Sequence, residues 1–244
     1  MPETPVRPAS TVALLRDGDD GPRVLLLQRN RALAFAGGFW VFPGGAVDTG
    51  DREGGDGDAE AAARRAAVRE AAEEAGVAPD PQSLVLMSHW TTPVAEKKRF
   101  ATWIFAGPVA DDREVVIDGS EIHDFCWIGA RAALAQHRAG ALPMLPPTYI
   151  SLCTLARYPS VQAALDGERR SPCPRVLPLM VPCPGEGGFL TLYPGDVAYH
   201  GGDIDRPGPR HRAFLCDGAW QYQYRDVAAE APLYPVDPPA AGGP

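Results

Sequence analysis

The sequence predicts an α/β protein, and the order of its apolar segments carries that prediction. β-rich runs precede an alanine- and glutamate-rich segment at residues 59–75, and further β-rich runs follow it. Alanine and glutamate favour helices, whereas valine, isoleucine and aromatic residues between glycine and proline turns favour strands. A helix set between strands is typical of the α/β class, and 244 residues suffice for a sizeable core.

The composition is that of an ordinary globular protein. The chain is 45% hydrophobic and 22% charged, with a net charge of −8. An acidic balance argues against binding of nucleic-acid polymers or membrane surfaces. No apolar run reaches the about 20 residues that a membrane span needs, and the five cysteines form no CxxC pair, which favours reduced thiols. We therefore expect a cytoplasmic protein that acts on a small molecule.

The N-terminal part is predicted to be an arm followed by a hairpin. Residues 1–8 contain three prolines and are predicted to be flexible. A first strand is expected from Ala9 and a second over Val24 to Leu27, because Asp-Gly and Gly-Pro pairs separate them. Arg29 and Arg31 follow the second strand, where they could face either a substrate phosphate or solvent.

Three carboxylates mark the helix. Glu70, Glu73 and Glu74 stand at positions i, i+3 and i+4, so they share one face of the helix. Like charges at this spacing destabilise an isolated helix by a few tenths of a kcal/mol per pair, so a cation is expected beside them. Carboxylate oxygens suit Mg²⁺ or Mn²⁺. The alternative is an acidic face that is simply solvated.

A glycine turn precedes that helix. Gly44 and Gly45 follow a strand-like run at 40–42, and glycines there let the backbone approach a ligand without hindrance from a Cβ atom. Asp58 is the expected N-cap of the helix, and Gly76 is the expected residue that ends it in a left-handed conformation. A glycine turn before an acidic helix predicts a metal- and phosphate-binding site.

These residues resemble the Nudix box, G-x5-E-x7-R-E-U-x-E-E-x-G-U. The run from Arg69 to Val77 matches every fixed position of its second half. In the first half, Asp51 stands where glutamate is usual, and seventeen residues instead of seven separate it from Arg69. The extra residues are predicted to form a flexible surface insertion. Glu60 is the alternative counterpart of Asp51.

The resemblance implies a fold, a reaction and a set of roles. The fold would be an α/β/α sandwich on a mixed sheet, with its core at residues 9–140, and the reaction would be metal-dependent hydrolysis of a nucleoside-linked diphosphate. By position in the motif, Arg69 would hold the carboxylates in place, and the general base would be Glu73 or Glu121. The ligands of Mg²⁺ or Mn²⁺ would be Glu70, Glu73, Glu74 and the Gly44 carbonyl.

Further strands and a basic turn follow the helix. Strands are expected at 83–90, 100–106, 114–117 and 125–128, and a helix at 130–139. Lys97, Lys98 and Arg99 form the one concentrated basic run, which could steer a polyanionic substrate or could be a solvated turn. Many Nudix proteins place an acid before a tryptophan-containing strand; Glu121 is the first candidate for it and Asp124 the second.

The C-terminal part is predicted to be an extension packed on the core. Residues 141–228 are expected to form this extension, which could also mediate a homodimer, and residues 229–244 are expected to be a disordered tail. Its predicted elements are helices at 149–157, capped by Thr148, and at 160–166, and strands at 175–181, 189–192, 211–215 and 220–224. Tyr193, Asp196, His200 and His211 are either core or surface residues or the lining of a specificity pocket.

Finer features resemble one branch of the family. The run NRALAFAGGFWVFPGG, the lengthened box and the segment WTTP followed by KRFATWIF resemble coenzyme A diphosphatases. That resemblance implies cleavage of coenzyme A or acyl-CoA to adenosine 3′,5′-bisphosphate and (acyl-)phosphopantetheine. The alternatives are ADP-ribose, a dinucleotide or a damaged nucleoside triphosphate as substrate. A non-catalytic Nudix module that senses a nucleotide is a further alternative, but the intact box glutamates favour a hydrolase.

Overall fold

The computed structural model describes residues 5–33, 36–53, 57–110, 112–117, 119–182, 189–201, 203–216 and 218–227. Within them lie two sheets and five helices. In chain order the elements are β1 (Val6–Arg16), β2 (Arg23–Arg29), β3 (Trp40–Val41), β4 (Gly44–Ala46), α1 (Thr49–Arg52), α2 (Ala59–Ala75), β5 (Val85–Thr91), β6 (Arg99–Pro108), β7 (Ile122–Gly129), α3 (Ala130–Arg138), α4 (Pro146–Leu155), α5 (Val161–Arg170), β8 (Arg175–Val176), β9 (Leu179–Pro182), β10 (Phe189–Leu192), β11 (Arg210–Cys216) and β12 (Ala219–Arg225).

The larger sheet is mixed. Its strand order is β3-β2-β1-β6-β5-β8, with β4 paired to β1 and β7 paired to β2. β1 runs parallel to β6, while β1 and β2 form the predicted antiparallel hairpin. The hairpin strands pair only near their turn and then separate, and residues 40–46 fill the wedge between them. This wedge brings the glycine turn into the middle of the sheet.

Helices cover both faces of that sheet, as expected for an α/β/α sandwich. α2 begins after Asp58, whose side chain accepts a hydrogen bond from the Glu60 N–H, and it ends at Gly76 with φ of 67°. Both predicted caps are therefore present. The helix faces the sheet with small side chains, which allow close packing on β1, β2 and β6. Its buried alanines are Ala62, Ala63, Ala66, Ala67, Ala71 and Ala75.

The opposite face carries α3, α4 and α5 together with parts of the C-terminal region. β8 extends the mixed sheet beside β5, and β9 to β12 form a second, antiparallel sheet. The two regions are joined by Trp220, whose Nε1 donates to the Met144 carbonyl at 2.9 Å and whose backbone N–H donates to His137 Nε2 at 2.8 Å. Tyr193 packs edge-on against Trp90 of β5. The C-terminal residues thus share a hydrophobic core with the sheet.

Several predicted boundaries were wrong. β1 begins at Val6, inside the predicted arm, because parallel pairing with β6 continues to that residue. The described residues 112–117 contain no strand; the Val116 N–H instead donates to the Ala75 carbonyl at the end of α2. The predicted strand at 175–181 is divided between β8 and β9, which belong to different sheets.

Helix boundaries also differ from those predicted. α4 starts at Pro146, so Thr148 lies inside the helix and does not cap it. Proline is tolerated in the first turn because its missing N–H would have no helical partner there. α5 runs to Arg170, past the predicted end at 166. The predicted tail at 229–244 lies outside the described residues, and so do residues 1–4 of the predicted arm. Among the described residues, no helix is long and apolar enough to cross a membrane.

Candidate active site

Arg69 is the centre of the acidic cluster on α2. Its NH1 group lies 2.9 Å from Glu70 Oε1 and 3.0 Å from Glu73 Oε2. The Glu73 side chain is 58% exposed, whereas the side chains of Glu70 and Glu74 are 15% and 9% exposed. Two carboxylates are therefore held at the edge of the core, and the third faces solvent.

The insertion in the box still brings an acid to Arg69. Arg69 donates to both oxygens of Asp51, from Nε at 3.2 Å and from NH2 at 2.9 Å. Asp51 is only 6% exposed because α1 folds its side chain inward. This part of the insertion is thus an ordered helical turn and not the flexible loop that we expected. Glu60, the alternative counterpart, instead pairs with Arg64 at 2.6 Å.

The two glycines place backbone polar groups against the same carboxylates. Val12 N–H donates to the Pro43 carbonyl and Val47 N–H to the Pro8 carbonyl. In an antiparallel pair, residues whose N–H and C=O bond to the neighbouring strand alternate with residues whose N–H and C=O point away from it. Pro43 bonds to β1, so the next residue, Gly44, points its N–H and C=O away from β1. The Gly44 N–H donates to Glu74 Oε2 at 2.9 Å. Its carbonyl is directed to the same side, where it is suited to bind a ligand.

Neither glycine can carry a side chain without displacing a neighbour. A Cβ atom on Gly45 would lie 2.5 Å from Glu70 Oε1, and one on Gly44 would lie 2.6 Å from the Thr11 Cα atom. Gly45 therefore leaves the space that Glu70 occupies. Gly44 is fixed by the close approach of β1, which is backbone and cannot move aside.

A second arginine reaches the cluster from β2. Arg29 NH1 lies 3.8 Å from Glu74 Oε1, and its NH2 lies 3.2 Å from Glu121 Oε2. The side chain of Arg29 is 17% exposed and that of Glu121 is 57% exposed. The segment before β7 thus contributes its predicted acid to the same edge of the sheet.

Burial and pairing shift the ionisation of this cluster in opposite directions. Burial raises the pKa of Glu74 to about 7 and also raises the pKa of Glu70, despite the neighbouring arginines. For Asp51, burial opposes ionisation, but the hydrogen bonds from Arg69 and from the Asp48 N–H, together with the charges of Arg69 and Arg65, outweigh it and lower the pKa. The hydrogen bond to Asp51 in turn raises the pKa of Arg69. Glu70 and Glu74 are therefore buried carboxylates whose charge is only partly compensated.

The donor set fits a hard divalent cation. Glu70, Glu73 and Glu74 offer carboxylate oxygens, and Gly44 offers a carbonyl oxygen, which are the ligand types that Mg²⁺ and Mn²⁺ prefer. In the described part of the chain, no three acidic, histidine or cysteine side chains already surround one point. The reason is visible at Arg69, which lies between Glu70 and Glu73. Binding of an ion would require these two side chains to turn from the guanidinium group.

Three of the other predicted substrate-binding residues, Lys97, Lys98 and Arg99, lie apart from this cluster. Arg31, Lys97 and Lys98 are exposed in turns. Arg99 is 6% exposed, and its Nε donates to the Thr92 carbonyl at 3.2 Å. Along β1, the turn with the lysines lies beside Val6, whereas Gly44 lies beside Thr11. At about 3.3 Å per residue this separation is roughly 16 Å. Lys97, Lys98 and Arg99 are therefore not part of the carboxylate cluster.

The remaining candidate residues contact other parts of the fold and lie outside the carboxylate cluster. Asp124 Oδ1 accepts a hydrogen bond from the Phe125 N–H in β7. Tyr193, Asp196 and His211 are buried between the C-terminal strands. Asp48, which sequence reasoning missed, lies 3.8 Å from Arg69 NH2. Its only signal in the sequence was its place three residues before Asp51, at the start of a helical turn.

Comparison with known proteins identifies the family. The family model described as the NUDIX domain matches residues 6–147. The putative nudix hydrolase 7 of Caenorhabditis elegans is 27% identical in an alignment 214 residues long, which covers 72% of this chain and 70% of that protein. The putative 8-oxo-dGTP diphosphatase 3 of Mycobacterium tuberculosis is 28% identical over 181 residues, 73% of each chain. A crystal structure of a NUDIX hydrolase from Alicyclobacillus acidocaldarius is 25% identical, with a TM-score of 0.62 over 69% of this chain and 99% of that one. Because the NUDIX model covers more than half of the residues, the chain belongs to the Nudix family.

Proposed function

We propose that this Nudix hydrolase cleaves the phosphoanhydride bond of a nucleoside-diphosphate-linked small molecule. Mg²⁺ or Mn²⁺ would be held by Glu70, Glu73, Glu74 and the Gly44 carbonyl. The observation that carries the proposal is the placement of these groups around one edge of the sheet, with two carboxylates partly buried and only partly compensated.

The residues have separate tasks in this reaction. A bound divalent ion neutralises phosphate charge and lowers the pKa of water. Arg69, held by Asp51, would hold Glu70 and Glu73 while no ion is bound, and the two carboxylates would turn from it to bind the ion. The water oxygen forms a bond to one phosphorus while the bridging P–O bond breaks, and the other phosphoryl group leaves with the bridging oxygen and its substituent.

A carboxylate must accept the proton of the attacking water. Glu73 and Glu121 remain the two candidates for this general base. Their side chains are 58% and 57% exposed, so either carboxylate can contact a water molecule at the open edge of the site. Glu121→Gln separates them, because it lowers kcat more than it raises KM if Glu121 is the base, whereas Glu73→Gln also removes a proposed metal ligand.

Two substrates are supported best. Coenzyme A or acyl-CoA follows from the resemblance of the lengthened box and its flanking runs to coenzyme A diphosphatases. A damaged nucleoside triphosphate is the second candidate, because one relative is named as an 8-oxo-dGTP diphosphatase. ADP-ribose and dinucleotides would undergo the same bond cleavage. The intact carboxylates Glu70, Glu73 and Glu74 speak against a non-catalytic nucleotide-sensing module.

The decisive experiment is mass spectrometry of reaction products with excess Mg²⁺ or Mn²⁺. Wild-type protein, Glu74→Gln and the control Glu114→Gln, an exposed glutamate outside the helices, are incubated with coenzyme A and with 8-oxo-dGTP. We expect adenosine 3′,5′-bisphosphate and phosphopantetheine from coenzyme A with wild type and the control, and a loss of at least about 100-fold with Glu74→Gln.

The outcomes separate substrate from activity. If only 8-oxo-dGTP is cleaved, coenzyme A is excluded as a substrate, but the protein is still a hydrolase. Survival of both compounds, and of ADP-ribose and dinucleotides, would contradict the proposed hydrolysis.

A further inference from the structure

A guanidinium group links the helix carboxylates to the segment that precedes β7. We call the contact of Arg29 with Glu74 and Glu121 the Arg29 bridge; its two N–O distances are 3.8 Å and 3.2 Å. A cation between two carboxylates already has its charge compensated, so it is a poor free site for a substrate phosphate. The sequence had suggested the opposite role for Arg29, that of a phosphate-binding residue.

Strand alternation explains why Arg29 points at the metal helix. Leu25 and Leu27 belong to the core cluster beneath α2. Side chains two residues apart in a strand point to the same face, so Arg29 also lies on the α2 side of the sheet. The next side chain on this face after Leu25 and Leu27 is therefore the guanidinium group of Arg29, which lies beside Glu74.

A β-bulge brings Glu121 to the same point. Gln28 pairs with Asp124, but Arg29 pairs with Ile122, so His123 is an extra residue in β7. A bulge of one residue re-aims the side chains beyond it. Ile122 consequently takes the inward position in the α2 core, where it is fully buried. The bulge also shifts the chain by one residue, so the Glu121 backbone lies opposite Asn30 and its side chain reaches Arg29 from beyond the end of β7.

Asn30 fixes the backbone of this segment. Its N–H donates to the Glu121 carbonyl at 2.8 Å, and its Nδ2 donates to the Ser120 carbonyl at 3.3 Å. These bonds hold the backbone at Ser120 and Glu121. Arg29 contacts the Glu121 carboxylate itself. Because Glu121 is 57% exposed, the pair contributes little to folding stability.

We propose that Arg29 is a positioning residue that holds the Glu121 carboxylate beside Glu74, and that it does not bind substrate phosphate. The inference rests on the proposed hydrolysis, because Glu121 matters only if its carboxylate takes part in that reaction. The positive charge of Arg29 beside Glu74 also opposes the binding of a cation there.

The kinetic test uses Arg29→Gln, Arg29→Lys, Glu121→Gln and the double variant Arg29→Gln/Glu121→Gln. Arg23→Gln is the matched control, because Arg23 lies on the same strand and donates to the Trp127 carbonyl of β7 at the far end. We expect Arg29→Gln to lower kcat about tenfold or more with KM changed less than about threefold. Arg29→Lys should recover part of the loss, and the double variant should be no slower than Glu121→Gln.

Binding of Mn²⁺ alone, followed by electron paramagnetic resonance, is the second readout. Loss of the Arg29 charge should tighten Mn²⁺ binding by about threefold or more, whereas Arg23→Gln should leave it unchanged. Additive kinetic effects with a raised KM, or wild-type kcat in Glu121→Gln, would overturn the positioning role. Unchanged Mn²⁺ affinity in Arg29→Gln would overturn the bridge whatever the activity. Wild-type protein that hydrolyses no tested substrate would instead contradict the proposed function.

Discussion

At the scale of single residues, Asp51 and Glu60 give opposite expectations. Asp51 is buried and accepts two hydrogen bonds from Arg69, whereas Glu60 forms a half-buried pair with Arg64 near the start of α2. We expect Asp51→Asn to destabilise the fold by about 1–3 kcal/mol and to lower kcat at least about tenfold, because Arg69 loses its charged partner. Glu60→Gln should cost less than about 1 kcal/mol and leave kcat unchanged. Urea denaturation and steady-state kinetics measure both, and the reverse ranking would make Glu60 the acid of the box.

The residue scale also marks how far sequence reasoning reached. Glu70, Glu73 and Glu74 could be placed together because helical spacing is local. The first acid of the box was a choice between Asp51 and Glu60, because the insertion hides the distance from Asp51 to the helix. The link from Arg29 to Glu121 could not be predicted. It depends on the extra residue His123 in β7, which no local pattern indicates.

At the scale of elements, the fit of α2 on β4 depends on Gly45. A Cβ atom there would meet Glu70 Oε1 at 2.5 Å, so the carboxylate must move in Gly45→Ala. We expect Mn²⁺ affinity to fall about tenfold, equal to about 1.4 kcal/mol, while the protein stays folded. Gly50→Ala in α1 is the matched control, since a Cβ atom there meets nothing within 4 Å. Isothermal titration with Mn²⁺ tests this, and equal affinities for the two variants would show that Glu70 does not need that space.

Element boundaries were predictable where the signal was local. Asp58 and Gly76 delimit α2 as expected, because capping depends on a few adjacent residues. β8 could not be assigned to the mixed sheet, since Arg175 pairs with His89, which is distant in sequence. The strand expected at 114–117 is absent from the described residues. The Val116 N–H donates to the Ala75 carbonyl at the end of α2, and this tertiary contact outweighs the β propensity of valine.

At the scale of the whole molecule, the C-terminal sheet makes stability depend on pH. Burial lowers the pKa of His211 to about 4. The imidazole lies among Tyr193, Tyr222 and Tyr224, and Asp196, which is ion-paired with Arg212, only partly offsets the burial. The unfolded state, with a histidine pKa near 6.5, binds a proton more readily than the folded state. The contribution of His211 is therefore fully present above about pH 6.5 and is lost as the pH falls towards 4.

This sign gives a quantitative expectation for the intact chain. Between pH 7 and pH 5, His211 should reduce the free energy of unfolding by about 2 kcal/mol. His211→Asn should be less stable at pH 7, because the packed ring is lost, but its stability should depend less on pH over this interval. Burial also lowers the pKa of His89 and His137, so some dependence remains in the variant. Urea denaturation at the two pH values, with the exposed His200→Asn as control, measures the difference. An equal pH dependence in wild type and His211→Asn would mean that the buried imidazole can be protonated without disturbing the C-terminal sheet.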